Sequence, residues 1–245
     1  SFDFRNAEYL DWGKTYNEVK EGMRKWKVSR FVPHLKTGDS IFESSCGVGL
    51  NLLMTLELIR EETKNLHDLH VYGSDFGELA AGTANLLLDA LVHDGKRGIV
   101  CTADSTNLFF ISENSFDLVF GHIIPAPDPW TDESSKQVTV QHRDNICKTR
   151  ATDWKSQVLF DLSQERQYSW YEKWAKEMVR IAKPGAPILI EQVPDPYCGA
   201  DLELDPLGVS GVGFSFWQEA DLDVDPESIE FEYDEVWPSS RRYHV

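Results

Sequence analysis

The chain has 245 residues, 41% of them hydrophobic, which is enough apolar side chain for one large domain or two small ones. Acids outnumber bases 41 to 24, a formal net charge of -17, which argues against nucleic acid as a partner because a phosphate backbone needs a basic surface. The same balance suits a cationic substrate and equally suits a protein that merely stays dissolved. No apolar run approaches the ~20 residues that cross a bilayer, so no membrane association is expected. Residues 1–6, Ser-Phe-Asp-Phe-Arg-Asn, carry no apolar leader core, and the first residue is not Met, so the natural ends are expected to lie elsewhere. Cys46, Cys101, Cys147 and Cys198 are scattered with no C-x-x-C pair, which predicts a reducing, cytoplasmic setting with Cys46 and Cys101 as small buried residues.

In chain order, residues 1–36 are rich in aromatics and read as a helical cap, with a helix over Asn17–Val32 that Pro33 ends. The cap either packs on the sheet edge or closes over a ligand through Tyr9, Trp12 or Tyr16. Asp39–Ser44 reads as a first strand ending in Glu43, followed by the small-residue turn Ser44-Ser-Cys-Gly-Val-Gly49 and a helix over Gly49–Thr63. Gly47 and Gly49 let that turn approach a ligand closely, because neither carries a Cβ. Leu69–Asp75 is a second strand, Phe76–Asp94 a helix, Gly98–Asp104 a third strand and Ser115–Gly121 a fourth. Strands alternating with helices predict an α/β fold with a parallel sheet. Ile123–Thr149 is a long polar stretch with three prolines, and Ala151–Ala182 returns to helical patterning. Ala186–Glu191 reads as a fifth strand, Val193–Asp225 as a second long connection, and Ser228–Tyr233 with Arg241–Val245 as a closing hairpin.

Three acids, Glu43, Asp75 and Asp104, thus end three successive strands, at the edge of an open parallel sheet where ligands bind. Together with Glu43-Ser-Ser-Cys-Gly-Val-Gly49, Gly73-Ser-Asp75, Ala103-Asp-Ser105, Phe116-Asp-Leu-Val-Phe-Gly121 and Lys183-Pro-Gly-Ala186, in this order, the chain from Ser40 to Glu191 resembles a class I S-adenosylmethionine-dependent methyltransferase. The resemblance implies a Rossmann-like, seven-stranded, mostly parallel sheet with helices on both faces and the last strand antiparallel. It also implies one domain over residues 1–245: the cap at 1–36, a cofactor-binding core at 37–192, and a substrate connection with the final hairpin at 193–245.

The implied cofactor is S-adenosylmethionine, with S-adenosylhomocysteine as product. Ser44, Ser45, Cys46, Gly47 and Gly49 would wrap its methionine part, and Glu43 would reach its amino end. Asp75 would accept both ribose hydroxyls, Phe76 would pack on the adenine, and Asp104 with Ser105 would meet the adenine amino group. Gly121 and His122 would lie under the sulfonium. Ser45 departs from the family pattern, which has glycine there; a serine fits if its φ is negative, with its hydroxyl toward the cofactor carboxylate. For Asp75 and Asp104 taken singly, the competing reading is capping of the turn that follows each strand.

His122 is the candidate general base, or else only shapes the pocket. Asp128 and Trp130 would suit a cationic acceptor, or else belong to an ordinary solvated loop. His142 and Cys147 lack companions for a metal site, and His122 stands where the metal-dependent branch of the family has an acid, so no metal is expected. The expected partner is a small-molecule acceptor, with amines favoured over hydroxyl and sulfur groups, and the protein is expected to be a monomer or homodimer. The alternatives are a protein lysine or N-terminal methyltransferase, an aminopropyl transferase of the same fold, and a non-catalytic partner subunit.

Overall fold

The computed structural model describes residues 15–63, 68–91, 99–121, 146, 148–192, 230–233 and 241–244. They form an α/β fold with a parallel sheet of five strands. The chain divides into two compact units, Ser1–His122 with Arg180–Ile188, and Ile123–Val179 with Leu189–Val245. Among the described residues, no helix is long and apolar enough to cross a membrane.

The first unit opens with helix α1 (Tyr16–Phe31), which the sequence starts and stops by local chemistry. The Thr15 hydroxyl accepts the Glu18 N–H at 3.3 Å, while the Glu18 carboxylate accepts the Thr15 N–H at 2.7 Å, a reciprocal capping box. A 3-10 turn over Val32–His34, containing Pro33, ends the helix. Strand β1 (Ser40–Ser44) leads to α2 (Leu50–Glu62), which buries Leu52, Leu53, Met54, Thr55, Leu56, Leu58 and Ile59. A helix buried on so many faces belongs to the core. Its contact with α1 is a cluster of Tyr16, Met23, Leu53, Met54 and Leu58.

Charge closes the rim of that contact. Lys20, only 9% exposed, donates to Glu57 at 3.1 Å and to Glu61 at 2.9 Å, and Arg24 bonds Glu21, Glu61 and Glu62. Burial pulls the Lys20 pKa down, but its hydrogen bonds to Glu61 and Glu57 outweigh that and hold it above the usual lysine value. Burial pushes Glu61 up, and its bonds to Lys20 and Arg24 hold it below the usual carboxylate value of 4.5. A lowered carboxylate stabilises the fold above its unfolded value and loses that contribution as pH falls through the lower folded value. Glu61→Gln is therefore expected to melt earlier than the wild type at pH 7, with the two converging as pH drops below 4.5 and past the folded value. Thermal melts across that range check this, and a gap that persists in acid would assign the loss to packing.

Strand β2 (His70–Asp75) and helix α3 (Glu78–Leu91) follow, then β3 (Val100–Thr102) and β4 (Leu118–Gly121). In the first unit the strands order β3-β2-β1-β4, and β5 (Ile188–Gln192) begins at the unit's last residue. The register sets Ser40 opposite His70, Ser44 opposite both Ser74 and Gly121, and Asp75 opposite Thr102, so the carboxyl ends of β1, β2 and β4 lie level. On α3 the buried stripe is Ala81, Ala84 and Leu88, while Leu79 and Leu86 are exposed. Asn85 on the same helix bonds both main-chain groups of Val100: its amide donates to the carbonyl at 2.8 Å and its oxygen accepts the N–H at 2.9 Å.

Several expected boundaries shorten. The third strand stops at Thr102, because β3 stands at the outer end of the order and Asp104 is already in a turn. For the same reason Cys101 is half-buried, not buried as expected. The fourth strand begins at Leu118 rather than Ser115. Its approach is committed elsewhere: Phe116 bridges Ala182, and the Asp117 carboxylate accepts the Ser40 N–H at 2.9 Å and both bonds from Lys183 at 2.7 Å. Arg180 clamps the preceding turn through the carbonyls of Ile111 and Leu108, each at 2.8 Å.

The second unit holds most of helix α4 (Trp154–Ile181). Asp153 caps it, accepting the Ser156 hydroxyl at 2.8 Å and the Ser156 N–H at 3.1 Å, and those bonds hold its carboxyl below the usual range. Tyr171, Trp174, Ala175 and Met178 are its buried face. In this unit β5 pairs antiparallel with β7 (Arg241–His244), which pairs antiparallel with β6 (Glu230–Tyr233).

Candidate active site

The carboxyl edge of the first unit collects most of the candidate residues. After Ser44 the chain turns through Ser45, Cys46, Gly47, Val48 and Gly49 into α2. The Cys46 N–H bonds the Ser74 carbonyl at 2.9 Å, and the Gly49 N–H bonds the Cys46 carbonyl at 2.9 Å. The turn is therefore stitched both to the neighbouring strand and to itself.

Asp75 is the hinge of the arrangement. One carboxylate oxygen accepts the Gly47 N–H at 2.8 Å and the other accepts the Gly77 N–H at 2.8 Å. The first bond crosses from β2 to the glycine turn, and the second shapes the start of α3. The capping reading of Asp75 is thus half right, since Gly77 opens the α3 turn. An ionised carboxyl offers about four lone-pair sites, so each oxygen can still accept a ligand hydroxyl. Phe76, next in sequence, is 75% exposed, an open aromatic face beside that carboxylate.

Asp104 is exposed, and one of its oxygens accepts the Thr106 hydroxyl at 2.8 Å and the Thr106 N–H at 2.9 Å, which is local turn capping. Ser105 is 4% exposed and bridges the turn of β1: its hydroxyl lies 2.9 Å from those of both Ser44 and Ser45. Gly121 is buried at the end of β4, opposite Ser44.

Glu43 is 1% exposed, and the side-chain amide of Asn51, on the second residue of α2, donates to it. Cys46 is buried beside Glu43 and Asp75. Burial first, and then those two negative charges, push its thiol far above the usual cysteine value, so it stays protonated and cannot serve as a nucleophile.

Ser45 departs from expectation. Its φ is +53°, in the left-handed region, so the condition of a negative φ is not met, and its hydroxyl goes to Ser105. Left-handed backbone costs a side-chain-bearing residue about 1–2 kcal/mol, offset in part by the Ser105 bond at about 0.5–1.5 kcal/mol. Glycine would remove the strain but lose the bond, and would gain freedom in the unfolded chain worth about 0.4–1 kcal/mol. Ser45→Gly is therefore expected to change stability by less than about 1 kcal/mol, whereas Ser45→Ala keeps the strain, loses the bond and costs about 1 kcal/mol. Urea denaturation of both variants checks the ranking, and an Ala variant as stable as the wild type would remove the Ser105 bond from the account.

Tyr16 also moves. It is fully buried in the α1–α2 cluster, so its ring packs the core and presents no face to a ligand. Tyr9, Trp12, His122, Asp128 and Trp130 lie outside the described residues, as do His142 and Cys147. Among the described residues, no group of three or more His, Cys, Asp or Glu side chains is arranged to hold a metal ion. Sequence reasoning passed over Asn51, an amide in the mostly apolar first turns of α2, and Ser74. The Ser74 hydroxyl is buried with no hydrogen-bond partner among the described residues.

No family model matches the sequence, and no curated protein matches it. Solved structures do. A Methanococcus maripaludis protein provisionally assigned as an S-adenosyl-L-methionine-dependent methyltransferase is similar with a TM-score of 0.53 at 13% identity, over 94% of this chain and 85% of that one. A Bordetella parapertussis protein described as a possible exported protein is similar with a TM-score of 0.50 at 13% identity, over 94% of this chain and 65% of that one. The chain thus spans just under two thirds of the Bordetella protein's length. At such low identity the likeness shows the fold alone, an α/β fold shared with the Methanococcus protein.

Proposed function

We propose that this chain is an S-adenosylmethionine-dependent methyltransferase acting on a small-molecule acceptor, with an amine favoured. The observation that carries the reading is the Asp75 carboxylate, bonded to the Gly47 N–H of the glycine turn and flanked by the open Phe76 ring. The donor set fits the cofactor chemically. Asp75 offers acceptors for a ribose diol, Phe76 offers a stacking face, and Glu43 offers a carboxylate to an ammonium. Gly47 has φ +54° with no atom within 4 Å of where a Cβ would stand, which leaves space along the turn.

When bound, S-adenosylmethionine supplies a methyl group on a good leaving group, so the protein mainly orients the acceptor in line and excludes water. The methyl group would pass to the acceptor, with the thioether as leaving group. A protonated acceptor must also lose its proton, and His122, following β4, is the residue we assign to take it. Tyr9, Trp12, Asp128 and Trp130 are assigned to the acceptor pocket, and the indole and acid of the last pair would attract a cation. We further propose that both units form one domain with a seven-stranded sheet, α1 belonging to its N-terminal cap, and that the protein works in the cytoplasm as a monomer or homodimer.

The test is calorimetric titration of the wild type with S-adenosylmethionine and S-adenosylhomocysteine. Binding of both supports the reading and opens a screen of amines, phenols and thiols. Failure of a folded wild type to bind either would sink it in favour of a non-catalytic partner subunit.

A further inference from the structure

We propose that Asn51 is a positioning residue that holds the Glu43 carboxylate ready for the ammonium of the cofactor's methionine part. The inference rests on the methyltransferase reading above and assigns a role to a residue outside the glycine turn. Glu43 ends β1 and is 1% exposed, and a carboxylate so deeply buried must be hydrogen-bonded to be tolerated. The Asn51 amide supplies such a bond from the first turn of α2. The helix itself gains little from asparagine, which ranks well below leucine as a helix former. Its neighbours Leu52 to Leu56 are all buried and, Thr55 aside, apolar, so a polar side chain here answers to a polar neighbour.

The chemistry of the donor is informative. A lysine or arginine in this place would also satisfy Glu43, but would cancel the negative charge that an ammonium needs. An amide donates one N–H, fixes the rotamer of the carboxylate and leaves its charge intact. The positive end of the α2 macrodipole further favours an anion at this spot. Neutral fixing of an anion is what a site for an ammonium group requires.

The test compares two ligands on the full chain. S-Adenosylmethionine carries the amino-acid part, whereas 5′-methylthioadenosine keeps the adenosine and sulfur but lacks it. By calorimetry, Asn51→Ala is expected to weaken S-adenosylmethionine about tenfold or more, with 5′-methylthioadenosine changed by less than about twofold. Asn51→Asp keeps the shape, so it guards against a variant that fails to fold. It places a second acid against Glu43 and is expected to show the same ligand-selective loss, easing as pH falls and one carboxyl protonates. An equal loss for both ligands would reduce Asn51 to a structural residue, and no loss for either would remove it from the site. Either result, with a wild type that binds both ligands, overturns this inference alone. A folded wild type that binds neither overturns the methyltransferase reading and this inference with it.

Discussion

Alanine at position 49 is expected to cost this protein a large part of its stability, about 2–5 kcal/mol against the 5–15 kcal/mol of an ordinary domain. Two effects add. Gly49 has φ +81°, a left-handed conformation that costs an alanine about 1–2 kcal/mol. An added Cβ would also stand 3.0 Å from the Cβ and 3.3 Å from the Cα of Ala84 on α3. The Cα is backbone and cannot swing away, so α2 and α3 must separate, at about 1–3 kcal/mol for such overpacking. Gly47→Ala isolates the first effect, because Gly47 has φ +54° and nothing within 4 Å of the added carbon. It should cost only the strain, about 1–2 kcal/mol. Urea denaturation of both variants measures the difference, and equal midpoints would mean that the α2–α3 approach is softer than it looks.

Asp75→Ala is expected to abolish S-adenosylmethionine binding at practical concentrations, a loss of about 100-fold or more. The carboxylate does two things in this account. It accepts the Gly47 and Gly77 N–H groups, each at 2.8 Å, and it is assigned the ribose hydroxyls. Its removal takes away both bonds to the ligand and loosens the glycine turn that must wrap it. The two orphaned N–H groups should also cost about 1–3 kcal/mol in folding stability. Asp75→Asn separates the roles. Its single oxygen can keep one N–H, but its amide faces the other donor to donor. It should therefore bind with intermediate affinity and sit between wild type and alanine in melting temperature. A retained affinity within about tenfold for the alanine variant would refute the assignment of Asp75 to the ligand.

Much of this fold was legible because its signals are local. The strand–turn–helix at Ser40–Leu53, the acids at positions 43, 75 and 104, and the stop at Pro33 can be read from residue chemistry and period alone. What escaped depends on neighbours distant in sequence. Ser45 could be read as fitting the turn only at negative φ, yet it stands at +53° with its hydroxyl bonded to Ser105, sixty residues on. Tyr16 read as a ligand-facing aromatic because pattern cannot say which face meets α2, and the cluster with Leu53, Met54 and Leu58 decides that. Leu79 reads as part of an apolar helix, but the stripe at Ala81, Ala84 and Leu88 turns it outward to 85% exposure. The third strand ended early because its length is set by how far β2 can partner it, and its own β propensity cannot extend it. Asn51 was invisible beside its apolar neighbours until Glu43 was found against it.

The bonds from Asn85 to Val100 bear on how this protein behaves in company. Val100 lies in β3, the outermost strand of the first unit, where main-chain groups would otherwise stand open to any passing strand. A side-chain amide presents one donor and one acceptor at nearly the spacing of a peptide group. Asn85 therefore impersonates a missing neighbour and takes both hydrogen bonds that a second molecule would need to dock there. At Val100 the edge is closed by a side chain of the molecule's own helix, so a second copy of this chain finds no free main-chain pair at that residue.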